Sequence, residues 1–309
     1  MQSLLLVANP SASGFTGAVF RDVVDILSDD FAVTPVWPNG PAETRAMSAE
    51  AAASGYAVVA AMGGDGVAHH VANGLANSGT ALALIPAGTT NVLARLFGIP
   101  EKPAKAAKQL HHYPAVPTPM LHVATESPTA SRSEYATFAL GIGFDADVVE
   151  AAERRPHSKL YFGGTHYATT AVGRLLQSWR SRPANLRIEC DGDRMDGVAV
   201  LAQVHGPYTY FGRVPLHISA GRTGHAAIVA ENLELHRSTE LVARSILRRE
   251  MPERLGVRVW PEFQKLIVEA DPPAPFQSDG ELLGTTSSLE VSFVPEALVV
   301  LRGTDAAQS

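Results

Sequence analysis

Early in the chain, three short apolar runs each empty into a loop of small residues and then into a helical pattern. SLLLVA leads into NPSASG, YAVVAAM into GGDG, and ALALIP into AGTTN. Strand, loop and helix repeated in this order are the pattern of an α/β fold with a parallel sheet. Loops leaving the carboxyl ends of parallel strands lie along one edge of the sheet, where ligands bind, so the three should converge. The apolar spacing predicts a helix over 16–30 with Val19, Phe20, Val23, Val24 and Leu27 on its buried face. A strand over 31–37 follows, then a helix over 41–54, opened by Pro41 and closed by Gly55. Further helices are expected over 67–77 and 89–97, after the second and third loops.

From about Met120 the texture changes to short strand-like segments separated by turn residues, the pattern of a mainly antiparallel β domain. Helical patterns at 145–155 and 165–181 interrupt it. A single core stops growing near about 250 to 300 residues, so a chain of 309 is expected to fold as two domains. The expected division is an α/β domain over 1–119, completed by a C-terminal segment at 295–309, and a β-rich domain over 120–294.

The glycines allow a ligand to approach the main chain closely. Where such a loop opens a helix, free N–H groups and the helix dipole favour an anion, most often a phosphate. Asp65, inside GGDG, would repel a bare phosphate. Magnesium removes the conflict, because Mg²⁺ is commonly held by one or two carboxylates together with substrate phosphates. A simpler reading has Asp65 capping the following helix. Asp279-Gly280, in SDGE, is a hairpin-turn signal as well as a candidate site.

A net charge of −6 argues against nucleic acid as a partner, since binding it requires a concentrated basic face. A lone cysteine, Cys190, excludes an internal disulfide, fits a reducing compartment, and reads as a small buried apolar side chain. No stretch approaches the 18 or so consecutive apolar residues of a membrane helix, and no signal peptide is evident. The expected location is cytoplasmic, with peripheral contact at the inner membrane face.

Taken in order, NPSASG, GGDG, PAGTTNVLARLFGIP, GIGFDADVV and SDGE resemble the diacylglycerol kinase catalytic-domain family, which includes bacterial lipid kinases and the sphingosine and ceramide kinases. The resemblance spans most of the chain. It implies ATP and Mg²⁺ as cofactors, bound in a cleft between an α/β domain and a β-rich domain, and a diacylglycerol-like lipid hydroxyl as phosphate acceptor. By position, Asn9, Ser11 and Gly14 match the family's first nucleotide loop, Gly63, Gly64, Asp65 and Gly66 the second, and Gly88, Thr89 and Asn91 the third. Asp279 and Glu281 match the family's DGE motif. The implied roles are Asp279 as general base, Asp65 and Glu281 on the metal, and Asp279 near that metal. Phosphoryl transfer needs little more than phosphate cradles, a cation and one base.

Four positions depart from the family pattern. Val67 replaces a threonine, Pro119 and Met120 stand where an aspartate is usual, His205 replaces an asparagine, and Thr223-Gly224 replaces an Asp-Gly pair. They motivate an alternative, a catalytically weakened nucleotide- or lipid-binding relative. A second alternative is an NAD kinase-like enzyme, which shares a GGDG loop. The sequence leaves the oligomeric state open, a homodimer included. GIGFDA, at 141–146, fits the G-x-G-x-x-G/A pattern but lacks a following βαβ unit, so it reads as a tight strand-to-helix connection. The pairs His69-His70 and His111-His112 read as solvated or phosphate-proximal. The 159–180 stretch, with Arg174, Arg180 and Arg182 nearby, reads as a core-facing helix or as an apolar flank for lipid.

Overall fold

The computed structural model describes residues 1–126, 132–153, 184–211, 214–219 and 224–303. The predicted helix at 165–181, the 159–180 flank, its nearby Arg182 and Thr223 lie outside them. The chain divides into two compact units, Met1–Met120 with Val294–Ser309, and Leu121–Phe293.

Unit 1 is built from β1 (Gln2–Ala8), α1 (Gly17–Ser28), β2 (Phe31–Val36), α2 (Pro41–Ala53), β3 (Val58–Gly63), α3 (Asp65–Leu75), β4 (Ala81–Pro86), α4 (Val92–Leu96) and α5 (Pro103–Gln109). Parallel pairing joins β2 to β1, β1 to β3, and β3 to β4. The C-terminal end of β16 (Glu281–Leu301) adds a further parallel strand, pairing Val299 with Ala81 and Val300 with Leu82. Every residue of β3 and β4 is buried, as expected of central strands covered on both faces. Thr16 caps α1 by accepting a hydrogen bond from Val19 N at 3.1 Å.

Two expectations for this unit need correction. On α1 only Val23 and Leu27 are fully buried, while Val19, Phe20 and Val24 sit at its half-covered margin. His69 and His70 are not solvated: their relative exposures are 0% and 9%, and both rings approach Arg45 of α2, with Arg45 Nε 3.2 Å from His70 Nδ1. Adjacent helical positions diverge, but the long Arg45 side chain reaches both rings, with Arg45 Nη2 3.5 Å from His69 Nε2.

Unit 2 contains β6 (Arg132–Ala136), β7 (Ala139–Gly143), α6 (Phe144–Glu153), β8 (Leu186–Cys190), β9 (Asp193–Gly197), β10 (Ala199–Gln203), β11 (Thr209–Phe211), β12 (Val214–Leu216), β13 (Ala226–Ala230), α7 (Leu235–Ile246), β14 (Val257–Pro261) and β15 (Lys265–Ser278). β5 (Ala115–Glu126) enters it and pairs Leu121–Thr125 with β6. Antiparallel ladders run β14-β13-β10-β7-β15-β16, and β8 with β9 extends from β15. The core is aliphatic and aromatic, including Leu140, Ile142, Val200, Phe263, Leu266 and Val291. Cys190 is buried within it as a free thiol, and burial, with Asp191 and Asp193 nearby, pushes that thiol up to about 12. β7 passes directly into α6 at GIGFDA, as a strand-to-helix connection.

His225 of unit 2 has 6% exposure and lies between Phe263, with ring centroids 4.7 Å apart, and Phe293, stacked at 4.0 Å. Its buried Nε2 has no hydrogen-bond partner among the described residues. Burial pushes the imidazole down to about 4, against about 6.5 in an unfolded chain. The unfolded state therefore binds more protons between these values, and the contribution of neutral His225 to stability is lost as pH falls from about 6.5 towards 4. Urea midpoints are expected to drop between pH 7 and pH 5 in the wild type. The drop should be visibly smaller in His225→Phe.

Candidate active site

The three loops of unit 1 meet through their backbones. Asn9 N donates to Met62 O at 3.0 Å, Gly14 N to Ala87 O at 2.8 Å, and Ala87 N to Gly63 O at 2.8 Å. A Cβ placed on Gly88 would lie 2.5 Å from Gly64 Cα, so the second and third loops touch main chain to main chain and leave room for no side chain there. Within the first loop, Asn9 Oδ1 accepts from Ser11 N at 2.9 Å. Ser13 Oγ and Thr89 Oγ1, both on exposed residues, stand 3.2 Å apart and link the first loop to the third. Asn91 is buried with φ of 49°, and its side chain closes the third loop by accepting from Gly88 N at 3.1 Å and donating to Gly88 O at 2.9 Å. Gly66 lies in the first turn of α3, and a Val67 methyl packs against Gly63 where the family threonine would place a hydroxyl.

Asp65 does not cap its own helix. Gly64 occupies that position, and Asp65 Oδ1 instead accepts from Leu93 N at 3.1 Å, satisfying a donor in the first turn of α4. A small pocket bounded by Gly64, Asp65, Asn91, Leu93 and Ala94 lies beside it. Among the described residues no group of three or more His, Cys, Asp or Glu side chains is arranged to hold a metal. What unit 1 offers, one carboxylate at the edge of glycine loops, fits a cation that takes most of its ligands from phosphate and water.

Asp279 and Glu281 belong to unit 2 and lie on one hairpin. Ser278 pairs with Glu281, so Asp279 and Gly280 form a two-residue turn, with φ of 52° and 83°. Glu281 is half-buried. Asp279 has 3% exposure, and its carboxylate is enclosed by donors from Thr137, Phe138 and the first residue of β7. Oδ2 accepts from Thr137 N at 2.7 Å and Thr137 Oγ1 at 2.8 Å, while Oδ1 accepts from Phe138 N at 2.9 Å and Ala139 N at 3.0 Å. A carboxylate has about four lone-pair directions, and these four donors engage them. In this arrangement the Asp279 carboxylate anchors the hairpin to the chain entering β7.

Sequence reasoning passed over a second carboxylate in the same unit. Asp145 Oδ2 accepts from Tyr208 Oη at 2.8 Å and from Gln277 Nε2 at 2.7 Å, and Gln277 Oε1 accepts from Gly280 N at 2.8 Å. Burial pushes the Asp145 carboxyl above the ordinary range, with the two hydrogen bonds pulling it partly back. Asp145 was in view within GIGFDA, but nothing in the sequence announces that Tyr208 and Gln277 come to it.

Residues 3–123 match the diacylglycerol kinase catalytic domain family. A diacylglycerol kinase of Mycobacterium tuberculosis (strain H37Rv) is 31% identical over 181 residues, which cover 55% of this chain and 50% of that protein. The chain covers 54% and 26% of the length of two of the other curated relatives it matches. Among solved structures, a diacylglycerol kinase from Bacillus anthracis str. Sterne superposes with a TM-score of 0.71 at 16% identity, covering 99% of this chain and 98% of that one. An NAD kinase from Archaeoglobus fulgidus, solved in complex with ATP, reaches 0.51 at 12% identity, covering 98% and 95%. At these identities the structural likenesses concern the fold.

Two substitutions test the geometry. Gly88→Ala forces a Cβ into the Gly64 backbone and should cost about 1–3 kcal/mol in chemical denaturation. Asp279→Asn turns an NH₂ towards two of the enclosing donors and should cost about 3 kcal/mol by the same measurement.

Proposed function

Because residues 3–123 place the chain in the diacylglycerol kinase catalytic-domain family, we propose that it transfers the γ-phosphate of ATP to a hydroxyl of diacylglycerol or a related lipid. The observation that carries this reading is the main-chain contact of the GGDG and AGTTN loops at Gly64 and Gly88, with the NPSASG loop bonded to both neighbours. Bare backbone at strand ends and helix starts is the arrangement that favours phosphate. In this reading Asn9, Ser11, Gly14, Gly63, Gly64, Gly66, Gly88, Thr89 and Asn91 line the triphosphate. Asp65 holds magnesium, which neutralises phosphate charge when bound, and Glu281 is assigned to the same cation. Asp279 fixes the turn that receives the acceptor alcohol.

A lipid acceptor keeps its tails in a bilayer, so the reaction belongs at a membrane surface. Among the described residues no helix is long and apolar enough to cross a membrane, and we assign peripheral contact. The NAD kinase alternative has support at the level of fold alone, whereas the family match adds sequence support for a lipid kinase.

Incubation with γ-labelled ATP, magnesium and a total lipid extract is expected to give a labelled, solvent-extractable lipid. Asp65→Asn should lower its formation at least about tenfold, by weakening the metal nucleotide. It should leave the melting temperature nearly unchanged, because the asparagine oxygen still accepts from Leu93 N. NADP formation in place of labelled lipid would overturn the proposal.

A further inference from the structure

A surface helix ordinarily turns its apolar stripe towards the core. α7 reverses this. Its half-covered side carries Ser238, Leu241 and Ser245, and Ser245 O accepts from His217 N at 3.1 Å, just past β12. The aliphatic side chains turn outward: Val242 is 53% exposed, Ile246 43%, and Leu247, the residue that caps the helix, 59%. Positions 242, 243, 246 and 247 are three or four residues apart, so they share one face, and all four are exposed. β12, which packs on α7, also exposes Val214, at 40%. The other two large apolar side chains exposed among the described residues are Met1 and Trp37, both in unit 1. Unit 2 therefore concentrates its exposed aliphatic surface on one helix and the strand beside it.

The charges next to these side chains are of one sign. From Val242 to Arg249 the chain carries three arginines and no acidic residue. Arg244 is paired with Glu240, Nε to Oε1 at 2.8 Å, and Glu240 also accepts from Arg254 Nη1 at 3.1 Å. Arg248 and Arg249 follow directly on Leu247, and both are exposed. Glu250 and Glu253 close the run, so that residues 240–254 hold four arginines against three glutamates in a chain whose net charge is −6. The basic excess sits where the exposed aliphatic side chains are.

We propose that this outward face of α7 docks on the surface of an anionic bilayer. The proposal rests on the lipid kinase reading above, which gives the chain a substrate held in a membrane, and it assigns the surface that meets that membrane. A helix lying in the plane of the interface sinks aliphatic side chains about 5–10 Å into the boundary between head groups and acyl chains. Arginine stems lie along apolar surface and keep their guanidinium groups at the level of the lipid phosphates. Val242, Ile246 and Leu247 followed by Arg248 and Arg249 supply both halves of that arrangement. A second copy of the chain fits the face less well, because even fully exposed, four aliphatic side chains fall short of the roughly 800 Å² per partner that a stable interface buries.

Sedimentation with vesicles of phosphatidylcholine and phosphatidylglycerol, without ATP, measures docking apart from catalysis. The wild type should pellet with these vesicles, and less when salt is raised or phosphatidylglycerol is left out. Ile246→Gln combined with Leu247→Gln should weaken binding about tenfold or more. Arg248→Gln combined with Arg249→Gln should weaken it about tenfold on anionic vesicles and little on neutral ones. All four side chains are exposed, so melting temperatures should stay close to wild type. Phosphorylation of a short-chain, water-dispersed diacylglycerol should be unchanged in both variants, while phosphorylation of vesicle-borne diacylglycerol should fall. A wild type that does not pellet, or variants that pellet as it does, would overturn the docking surface and leave the kinase reading standing. So would a wild-type dimer that the Ile246 and Leu247 substitutions turn into a monomer by light scattering. A wild type that docks through this face yet labels no lipid would remove the kinase reading and leave the surface assigned.

Discussion

The contact on which unit 1 depends is main chain against main chain, at Gly64 and Gly88. Two parallel strands carry their loops to the same sheet edge, but a Cβ on Gly88 would hold those loops apart. The closeness keeps N–H groups from different segments within one small region, and this gives a net acidic chain a means of holding anions. The burden falls on dipoles and geometry rather than on lysine or arginine. The same contact brings α4 near enough for Asp65 to bond Leu93 N, tying the carboxylate to the loop it faces.

The two carboxylates of unit 2 show that hydrogen-bond topology decides what an acid can do. Asp279 and Asp145 are linked through one glutamine, and both accept short bonds from neutral donors. Donors shared across both oxygens make a fastener. Donors gathered on one oxygen, as at Asp145, make a looser hold. Burial alone would not separate them, and neither would position in a motif.

Much of the fold was legible because it rests on local rules. Strand, loop and helix alternation marked the parallel sheet, and Asp279-Gly280 marked a two-residue hairpin through its need for positive φ at both positions. Cys190 read correctly as buried and apolar. Features that depend on distant partners were not legible. PAKAAKQ carries too few apolar residues to announce α5, which forms under Pro103 with Ala106 and Ala107 buried. The burial of His69 and His70 depends on Arg45, 24 and 25 residues away. The enclosure of Asp279 depends on Thr137 and its neighbours, more than 130 residues earlier, and no periodicity encodes that meeting.

β16 contains residues of both units in one uninterrupted strand. Its Val299 and Val300 pair with β4, and Ala297 O accepts from Asn77 N at 2.7 Å. On a ribosome, β1 to β4 emerge long before those residues exist, so the outer rim of β4 waits, unpaired, through the synthesis of all of unit 2. Unit 1 is therefore begun before unit 2 and its sheet finished after it, and a chain stalled between β4 and residue 299 carries an open edge able to recruit a foreign strand.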